Sequence, residues 1–369
     1  MSEPSTPPNI AVEAVDLSKS YGSVAALRSV SFTIESGKYF VLLGPSGGGK
    51  TTLLRLIGGF IRPSGGRVLL HGQDVSDLPP NLRPTSMVFQ SYALFPHMSV
   101  AANVAYGLKL RKLPKDEIAR KVEGMLDLVG LAGYGTRMPH ELSGGQQQRV
   151  QLARSLVLER DILLLDEPLA SLDAKLRKDM CLELKHIQEK VGITFIHVTH
   201  NQEEAMTVAD RIAIIANGQL IEEGSARDIY ERPVKRFTAE FVGENNLIDG
   251  RVVADAGGRI MVDTGFATIA VEKRESVAGV GDAVSISVRS ERIHLLDPAP
   301  AAKDNIQVIP ADYVEAVYLG LTTSHLVKLA NGLEIVVRRL SNADSDATFT
   351  SGQPVSIGWR TDNAQLHID

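Results

Sequence analysis

The sequence is poor in cysteine, in aromatic residues and in long apolar runs. Its 369 residues include one Cys and one Trp, and aromatic residues make up 5%. A lone cysteine, Cys181, excludes an internal disulfide and a zinc module built on several cysteines, and it fits a reducing compartment. No uninterrupted apolar stretch of about 18 residues occurs, so no membrane-spanning helix is expected. The formal net charge is −5, and an acidic chain with few aromatics is not typical of nucleic-acid-binding proteins.

A polar N-terminus and a change in charge balance near residue 240 divide the chain into a tail and two predicted domains. Residues 1–9 lack a basic segment followed by an apolar run, so we expect a disordered tail rather than a secretory signal. Residues 241–369 contain 11 Lys and Arg against 17 Asp and Glu, whereas the remainder contains 28 against 27. At about 150 residues per domain, the length allows two or three domains. The sequence therefore predicts one domain over residues 10–240 and a smaller, acidic one over 241–369.

Short apolar runs alternate with helical patterns over residues 10–240. Such runs occupy residues 39–43, 162–165, 193–199 and 212–215. Because they are apolar on both faces, they suit buried strands of a parallel sheet. Stripes at helical spacing occur within residues 118–129 and 176–187, and we expect a helical subdomain over about 96–157. The alternation predicts an α/β domain, with a hairpin turn at Asn217-Gly218.

The pattern after residue 240 has a period of two. Val284, Ile286 and Val288 alternate with more polar positions, as do the apolar residues of 333–337. Residues 281–291 resemble 352–362, and 293–295 resemble 366–368. These features predict an all-β, OB-like domain with two similar antiparallel halves. Chance similarity between two β-rich segments is the alternative explanation.

A glycine-rich segment after the first apolar run matches the phosphate-binding pattern G-x-x-x-x-G-K-[ST]. Glycines allow successive backbone N–H groups to turn toward a phosphate, and the helix that follows adds its positive end. Lys50 would reach the β- and γ-phosphates, and the Thr51 hydroxyl would bind Mg²⁺. The alternative is an ordinary glycine-rich turn with a surface lysine. The candidate ATP-binding residues here are Gly44, Pro45, Ser46, Gly47, Gly48, Gly49, Lys50, Thr51 and Thr52.

An acidic pair follows the apolar run of residues 162–165. Asp166, at the end of a buried strand, would hold Mg²⁺ directly or through water. Glu167 faces differently and suits the activation of an attacking water. Because Pro168 follows at once, the alternative is that one of these carboxylates caps a helix.

A second glycine-rich segment opens a predicted helix over residues 147–157. Its backbone donors and helix dipole favour a phosphate group. A single nucleotide already has its phosphate loop, so a head-to-tail dimer, in which each chain closes the other's nucleotide, would explain the second one. A flexible linker before a helix is the alternative. The segment consists of Leu142, Ser143, Gly144, Gly145 and Gln146.

Together these segments resemble the nucleotide-binding subunits of ABC transporters, in which residues 142–146 match the signature sequence. The resemblance implies a P-loop ATPase fold, the cofactors ATP and Mg²⁺, and a homodimer. It also assigns further positions: Tyr21 stacks on adenine, Gln90 of the Q-loop contacts Mg²⁺, Asp173 belongs to the D-loop, and His200 is the switch histidine. By the same resemblance, the catalytic residues are Glu167, His200 and Lys50, and the Mg²⁺ ligands are Thr51, Gln90 and Asp166.

The acidic extension resembles the TOBE domains of importer ATPases. Residues 288–293 resemble their V-R-P-E segment, with Ser290 in place of Pro, and residues 241–246 and 357–359 look most like spermidine/putrescine importer subunits. The resemblance implies an ATPase on the cytoplasmic face of the inner membrane. It would bind two permease subunits near Gln90 and act indirectly with a solute-binding protein. Importers of ferric iron, sulfate and sugars share the architecture and are alternatives.

Three other classes of protein compete with this interpretation. The signature segment disfavours a small-molecule P-loop kinase. A soluble ABC ATPase acting on nucleic acid or ribosomes often has two ATPase halves, whereas Lys50 marks one phosphate loop here. A non-catalytic regulatory module would not need Lys50, Asp166, Glu167 and His200 together.

Four residues near these motifs need separate interpretation. His197 lies three positions before His200, on the opposite face of a strand, so packing or a hydrogen bond is expected rather than a shared metal. Cys181 is expected to be a small packed residue. Two positions depart from the family pattern. Gly48 stands where Ser or Cys is frequent, with no expected loss of function, and Asn201 stands where Asp is usual, which would alter the dimer contact slightly.

Overall fold

The structure is a computed structural model that describes residues 9–91, 93–273, 278–296, 305–341 and 349–368. The expected disordered tail, except for Asn9, lies outside these residues. The chain divides into two compact units between Ala226 and Arg227. None of the helices in the described ranges is long and apolar enough to cross a membrane.

Over residues 9–91 and 93–226, the first unit contains two sheets and, before its boundary, six α-helices. Its strands are β1 (Ile10–Tyr21), β2 (Val24–Glu35), β3 (Tyr39–Leu43), β4 (Gly65–Leu70), β5 (Gln73–Asp74), β6 (Thr85–Val88), β7 (Ile162–Asp166), β8 (Thr194–Thr199), β9 (Arg211–Ala216) and β10 (Gln219–Gly224). Its helices are α1 (Lys50–Ile57), α2 (Val100–Leu110), α3 (Lys115–Leu128), α4 (Gly144–Leu156), α5 (Ala174–Val191) and α6 (Gln202–Val208).

A six-stranded sheet of order β10-β9-β3-β8-β7-β6 forms the centre of this unit. All its neighbours run parallel except β9 and β10, which form the hairpin predicted at Asn217-Gly218. The four predicted apolar runs are the buried strands β3, β7, β8 and β9, which confirms the α/β interpretation. Helix α1 shares one apolar core with this sheet and with the antiparallel sheet β2-β1-β4-β5.

The second unit begins at Arg227 and opens with two short helices, α7 (Ala226–Glu231) and α8 (Arg236–Phe241). The charge balance places a boundary at residue 240, yet the structural division precedes α8. Helix α8 contacts β11 (Asn245–Ala256), and the Arg236 guanidinium lies 2.7 Å from an Asp249 carboxylate oxygen of that strand. The segment between the two boundaries therefore belongs structurally with the β-rich unit.

The strands of the second unit, as far as the structure describes it, form two antiparallel five-stranded sheets. The remaining strands are β12 (Arg259–Asp263), β13 (Thr268–Glu272), β14 (Ala283–Arg289), β15 (His294–Leu296), β16 (Ile306–Tyr318), β17 (Thr322–Lys328), β18 (Glu334–Leu340), β19 (Pro354–Arg360) and β20 (Ala364–His367). The sheet orders are β13-β12-β11-β14-β20 and β15-β19-β16-β17-β18.

The two similar sequence segments form the same local structure. Each is a strand, one turn of 3₁₀ helix and a second strand: β14, residues 290–292 and β15 in one, β19, residues 361–363 and β20 in the other. The second strand of each segment pairs with the first strand of the other, so β14 pairs with β20 and β19 with β15. Their alternating apolar residues, such as Ile286 and Ile357, meet in one core.

Candidate active site

The phosphate loop connects β3 to α1, and close backbone contacts require three of its glycines, Gly44, Gly48 and Gly49. A Cβ on Gly44 would lie 2.0 Å from the carbonyl oxygen of Ile215. Gly49 has φ +105°, and a Cβ there would lie 2.7 Å from the carbonyl oxygen of Ala26. At Gly48 a Cβ would lie 2.8 Å from the same Ile215 oxygen. The glycine that departs from the family pattern therefore fits a loop packed closely against β9.

Backbone carbonyl groups of this loop hold the Lys50 side chain in place. Its Nζ donates to the carbonyl oxygens of Gly44 and Pro45, both at 2.8 Å, and the residue is 4% exposed. Burial lowers the pKa of the Lys50 ammonium, while the charges of Glu167 and Asp166 oppose that shift. The structure thus places a cation at the floor of a groove lined by Ala26, residues 46–52 and Glu167.

Oxygen ligands suitable for a cation lie beside the loop. The Thr51 hydroxyl donates to Asp166 Oδ1 at 2.9 Å. Burial raises the pKa of Asp166, whereas the Thr51 hydrogen bond and the Arg55 guanidinium, 3.9 Å from Oδ2, lower it. Sequence reasoning missed Arg55, although it lies one helical turn after Thr51. A hydroxyl and a carboxylate are the oxygen ligands that Mg²⁺ prefers, and the set therefore fits this ion.

Glu167 faces the groove because of an unusual backbone conformation. Its φ is +46°, and its backbone N–H donates to the carbonyl oxygen of Val198 at 3.0 Å. One carboxylate oxygen, Oε2, lies 3.3 Å from His200 Nδ1 and 3.5 Å from Gln90 Nε2. Among the sequence-predicted residues, the structure thus brings Glu167, His200 and Gln90 together at one oxygen atom. Positive φ at a non-glycine residue is uncommon and clusters at functional sites.

A buried polar network that sequence reasoning missed lies behind His200. Glu204 accepts from the Thr199 hydroxyl at 2.6 Å and lies 3.5 Å from the Arg177 guanidinium. Arg177 also donates to the carbonyl oxygen of Leu172, beside the D-loop, at 2.7 Å. Burial raises the pKa of Glu204, while Thr199 and Arg177 lower it. No sequence signal pointed to these partners, because α5, α6 and β8 meet only in the fold.

The expectations for His197 and Cys181 are confirmed. His197 is fully buried, and its Nδ1 lies 3.1 Å from the Tyr39 hydroxyl. Burial lowers the pKa of His197 to about 3, so the ring is neutral at pH 7. Cys181 is packed inside, and burial raises the pKa of its thiol to about 12. Within the described ranges, no group of three or more His, Cys, Asp and Glu is placed to hold a metal ion.

Tyr21 lies at the turn end of the β1–β2 hairpin. It pairs with Val24 and is half-exposed, and the Lys19 ammonium lies 5.2 Å from the centre of its ring. Two residues beyond Val24, Ala26 lines the groove of the phosphate loop. The hairpin therefore presents an accessible aromatic ring on the β2 side of that groove.

The signature segment has a different set of neighbours. Ser143 caps α4, accepting from the Gln146 backbone at 3.4 Å, while the Gln146 side chain accepts from the Ser143 N–H at 3.0 Å. A Cβ on the buried Gly145 would lie 3.1 Å from the Leu176 side chain of α5. Asp173 caps α5 by accepting from the Leu176 N–H. In the described part of the chain, the hydrogen bonds of Ser143 and Gln146 stay within the cap, and none reaches the phosphate loop.

Asn201 likewise has a capping position. Its side-chain oxygen accepts from the Glu204 N–H at 3.1 Å at the start of α6. Asn and Asp are equally good helix caps, so the departure from Asp preserves the local structure.

A strand, a phosphate loop with its lysine, and an acidic pair at the end of a parallel strand two places along the same sheet define a P-loop NTPase. Residues 27–170 match the ABC transporter family model, and residues 271–366 match the TOBE domain model. The chain belongs to the ATP-binding subunits of ABC transporters and is an ATPase of that family. The predicted fold class, an ABC-type ATPase followed by an all-β domain, is confirmed.

Relatives of known name cover almost the whole chain. It is 44% identical to the spermidine/putrescine import ATP-binding protein PotA of Roseobacter denitrificans over 96% of this chain and 97% of that protein. The protein of the same name from Rubrobacter xylanophilus is 44% identical over 95% and 92%, respectively. The predicted resemblance to polyamine importer ATPases is therefore confirmed.

Two solved structures resemble the first unit. One is cbiO1 of Clostridium perfringens, part of an ABC transporter complex, with TM-score 0.57 and 31% identity over 60% of this chain and 90% of that one. The other is the ATP-binding cassette MJ0796 in a dimeric post-hydrolysis state with ADP and Pi, with TM-score 0.53 and 30% identity over 58% and 99%.

Proposed function

We propose that this ATPase energises the import of polyamines such as spermidine and putrescine. The observation that carries the proposal is the 44% identity, over nearly the full length of both chains, to proteins named for that import. In this proposal a homodimer lies on the cytoplasmic face of the inner membrane. It binds two permease subunits near Gln90 and acts indirectly with a solute-binding protein.

The geometry supports a direct assignment of residues to a bound ATP. The ring of Tyr21 stacks on the adenine, and backbone N–H groups of residues 44–52 bind the phosphates. Lys50, already at the floor of the groove, neutralises the β- and γ-phosphates. Thr51, Asp166 and Gln90 hold Mg²⁺, which when bound neutralises charge on the phosphate oxygens.

Glu167 is the base in this assignment. It takes a proton from water while the water oxygen bonds to the γ-phosphorus and the bond to the leaving ADP oxygen breaks. His200, 3.3 Å from the same carboxylate, orients Glu167 and with Lys50 stabilises charge on the γ-phosphate.

The dimer supplies the second set of phosphate donors. The N-terminus of α4, with Leu142, Ser143, Gly144, Gly145 and Gln146, binds the γ-phosphate of the partner's nucleotide, and Asp173 lies at the same contact. The positive end of the thirteen-residue α4 favours an anion. Two composite sites then form in a head-to-tail arrangement, each with the phosphate loop of one chain and the signature segment of the other.

Mixing two inactive variants tests this arrangement. Lys50→Ala and Ser143→Arg chains each lack one half of every site in their own homodimers. In a mixed dimer, one site combines both changes and the other contains neither. Because half of randomly formed dimers are mixed, we expect about a quarter of wild-type ATPase activity per chain to return.

The control replaces the Ser143→Arg chain by one carrying both changes, which supplies no intact phosphate loop. Activity should then stay at the level of Lys50→Ala alone. A mixture of the two single variants that gains nothing over the separate proteins would argue against composite sites.

The transported solute is tested in the assembled importer. The chain is reconstituted in proteoliposomes with the permease subunits and the solute-binding protein of its importer. We expect spermidine or putrescine with the binding protein to stimulate ATP hydrolysis and to accumulate inside, roughly tenfold over a sample without binding protein. Ferric iron, sulfate and sugars are assayed in parallel, and stimulation by one of these instead of a polyamine would refute the polyamine assignment.

A further inference from the structure

Side chains on one face of helix α4 donate hydrogen bonds to every second backbone carbonyl group in the segment around Gln90. Ser155 donates to the carbonyl oxygen of Met87 at 3.3 Å. Gln151 Nε2 donates to Phe89 at 3.0 Å and to Ser91 at 3.2 Å, and Arg154 donates to Ala93 at 2.8 Å. The three donors are spaced as i, i+3 and i+4, so they lie on one side of the helix. We call Gln151, Arg154 and Ser155 the α4 ladder.

Gln151 has a special position in this ladder because its two acceptors flank Gln90. The residue is 1% exposed and both bonds are partly buried, so an unpaired Gln151 amide would be costly. They fix the backbone on each side of Gln90. The Gln90 side chain in turn lies 3.5 Å from the Glu167 carboxylate.

The same helix begins at the signature segment, where Ser143 is its cap. A rigid helix moves as one body, so a displacement at its N-terminus is carried along its length. The α4 ladder therefore connects the end of α4 that meets the partner's nucleotide, under the proposed function, to the residue beside the catalytic carboxylate.

We propose that Gln151 is a positioning residue that places Gln90 for catalysis. Gln151 does not line the groove of the phosphate loop. It acts through the two carbonyl groups beside Gln90, and through them it sets the distance of Gln90 from Glu167 and from the Mg²⁺ site. This inference rests on the proposed roles of Gln90 and of the signature segment.

A double-mutant cycle on the purified full-length chain tests the proposal. Gln151→Met keeps a flexible side chain of similar size but removes both donated hydrogen bonds. We expect kcat for ATP to fall about fivefold to tenfold and the Mg²⁺ concentration for half-maximal activity to rise about threefold. In a Gln90→Ala chain, the same substitution should change kcat less than about twofold, because the side chain that Gln151 places is absent.

Gln148→Met is the matched control. Gln148 lies on α4 and is also 1% exposed, but none of the four bonds described above involves it. The factors by which Gln148→Met and Gln90→Ala each change kcat should multiply in the double variant, which would show that the two residues act independently. Ser155→Ala is a milder change to another residue of the α4 ladder. It should alter kcat and the Mg²⁺ requirement in the same direction as Gln151→Met, by smaller factors and with the same dependence on Gln90. It therefore keeps the test valid if Gln151→Met unfolds.

The proposal is overturned if the effects of Gln151→Met and Gln90→Ala on kcat simply multiply in the double variant. It is also overturned if the effect of Gln148→Met on kcat depends on Gln90 in the same way as that of Gln151→Met. Failure of the underlying site assignment gives a different result, since Gln90→Ala alone would then leave both kcat and the Mg²⁺ requirement unchanged.

Discussion

A Glu167→Gln chain should bind ATP as tightly as the wild type and lose about two or more powers of ten in turnover. The amide has nearly the shape of the carboxylate and preserves its place beside Gln90 and His200, but it cannot accept a proton from water. Glu167 is one lining residue of the phosphate groove, whereas Ala26 and residues 46–52, which form the rest of its lining, keep their identity in this variant. Binding of a fluorescent ATP analogue and steady-state phosphate release measure the two properties separately.

Glu203→Gln is the control for this experiment. Glu203 is an exposed glutamate of α6, three residues after His200, and its substitution makes the same change of charge. It should keep wild-type turnover. If Glu167→Gln turns over ATP at a rate close to that of wild type, the base must be another group. Weak ATP binding by the variant would instead indicate that Glu167 holds the nucleotide.

The parts of the site that could be predicted from sequence are those whose functional residues lie next to one another in the chain. Residues 44–51 form a single loop, and Asp166 and Glu167 stand together at the end of one strand, so a short window contains the whole pattern. Periodicity was equally informative about β3, β7, β8 and β9, because buried parallel strands are apolar on both faces.

The contacts that were missed join distant segments. Gln151 donates a hydrogen bond to Phe89, which is 62 positions away in the chain. No sequence pattern near either residue indicates that the two are in contact. The same holds in the second unit. Its strands were predicted by alternation, but the pairing of β14 with β20 and of β15 with β19 depends on how two similar segments meet in space. Helix capping by Ser143 and Asp173 was also missed, although Ser143 and Gln146 have the spacing of a capping box.

Arg83 shows how much depends on such a distant contact, and its loss should be among the most destabilising changes in the chain. It is 1% exposed, and its guanidinium donates to the carbonyl oxygens of Leu56, Ile57 and Leu78 at 2.7 to 2.9 Å. Leu56 and Ile57 are the last residues of α1, whose final carbonyl groups lack partners within the helix. Helix α1 begins with Lys50, so Arg83 anchors the far end of the helix that carries the phosphate loop.

Arg83→Met should therefore lower the free energy of unfolding by about 3 to 5 kcal/mol, because several buried carbonyl groups lose their donor at once. Urea unfolding followed by far-UV circular dichroism measures the change. Arg83→Lys should recover only part of the loss, since a single ammonium cannot reproduce the planar set of donors. The exposed Arg62, in the turn after α1, provides the control, and Arg62→Met should change stability by less than about 0.5 kcal/mol. Equal stabilities of Arg83→Met and Arg62→Met would show that water or a rearranged backbone satisfies the end of α1 without Arg83.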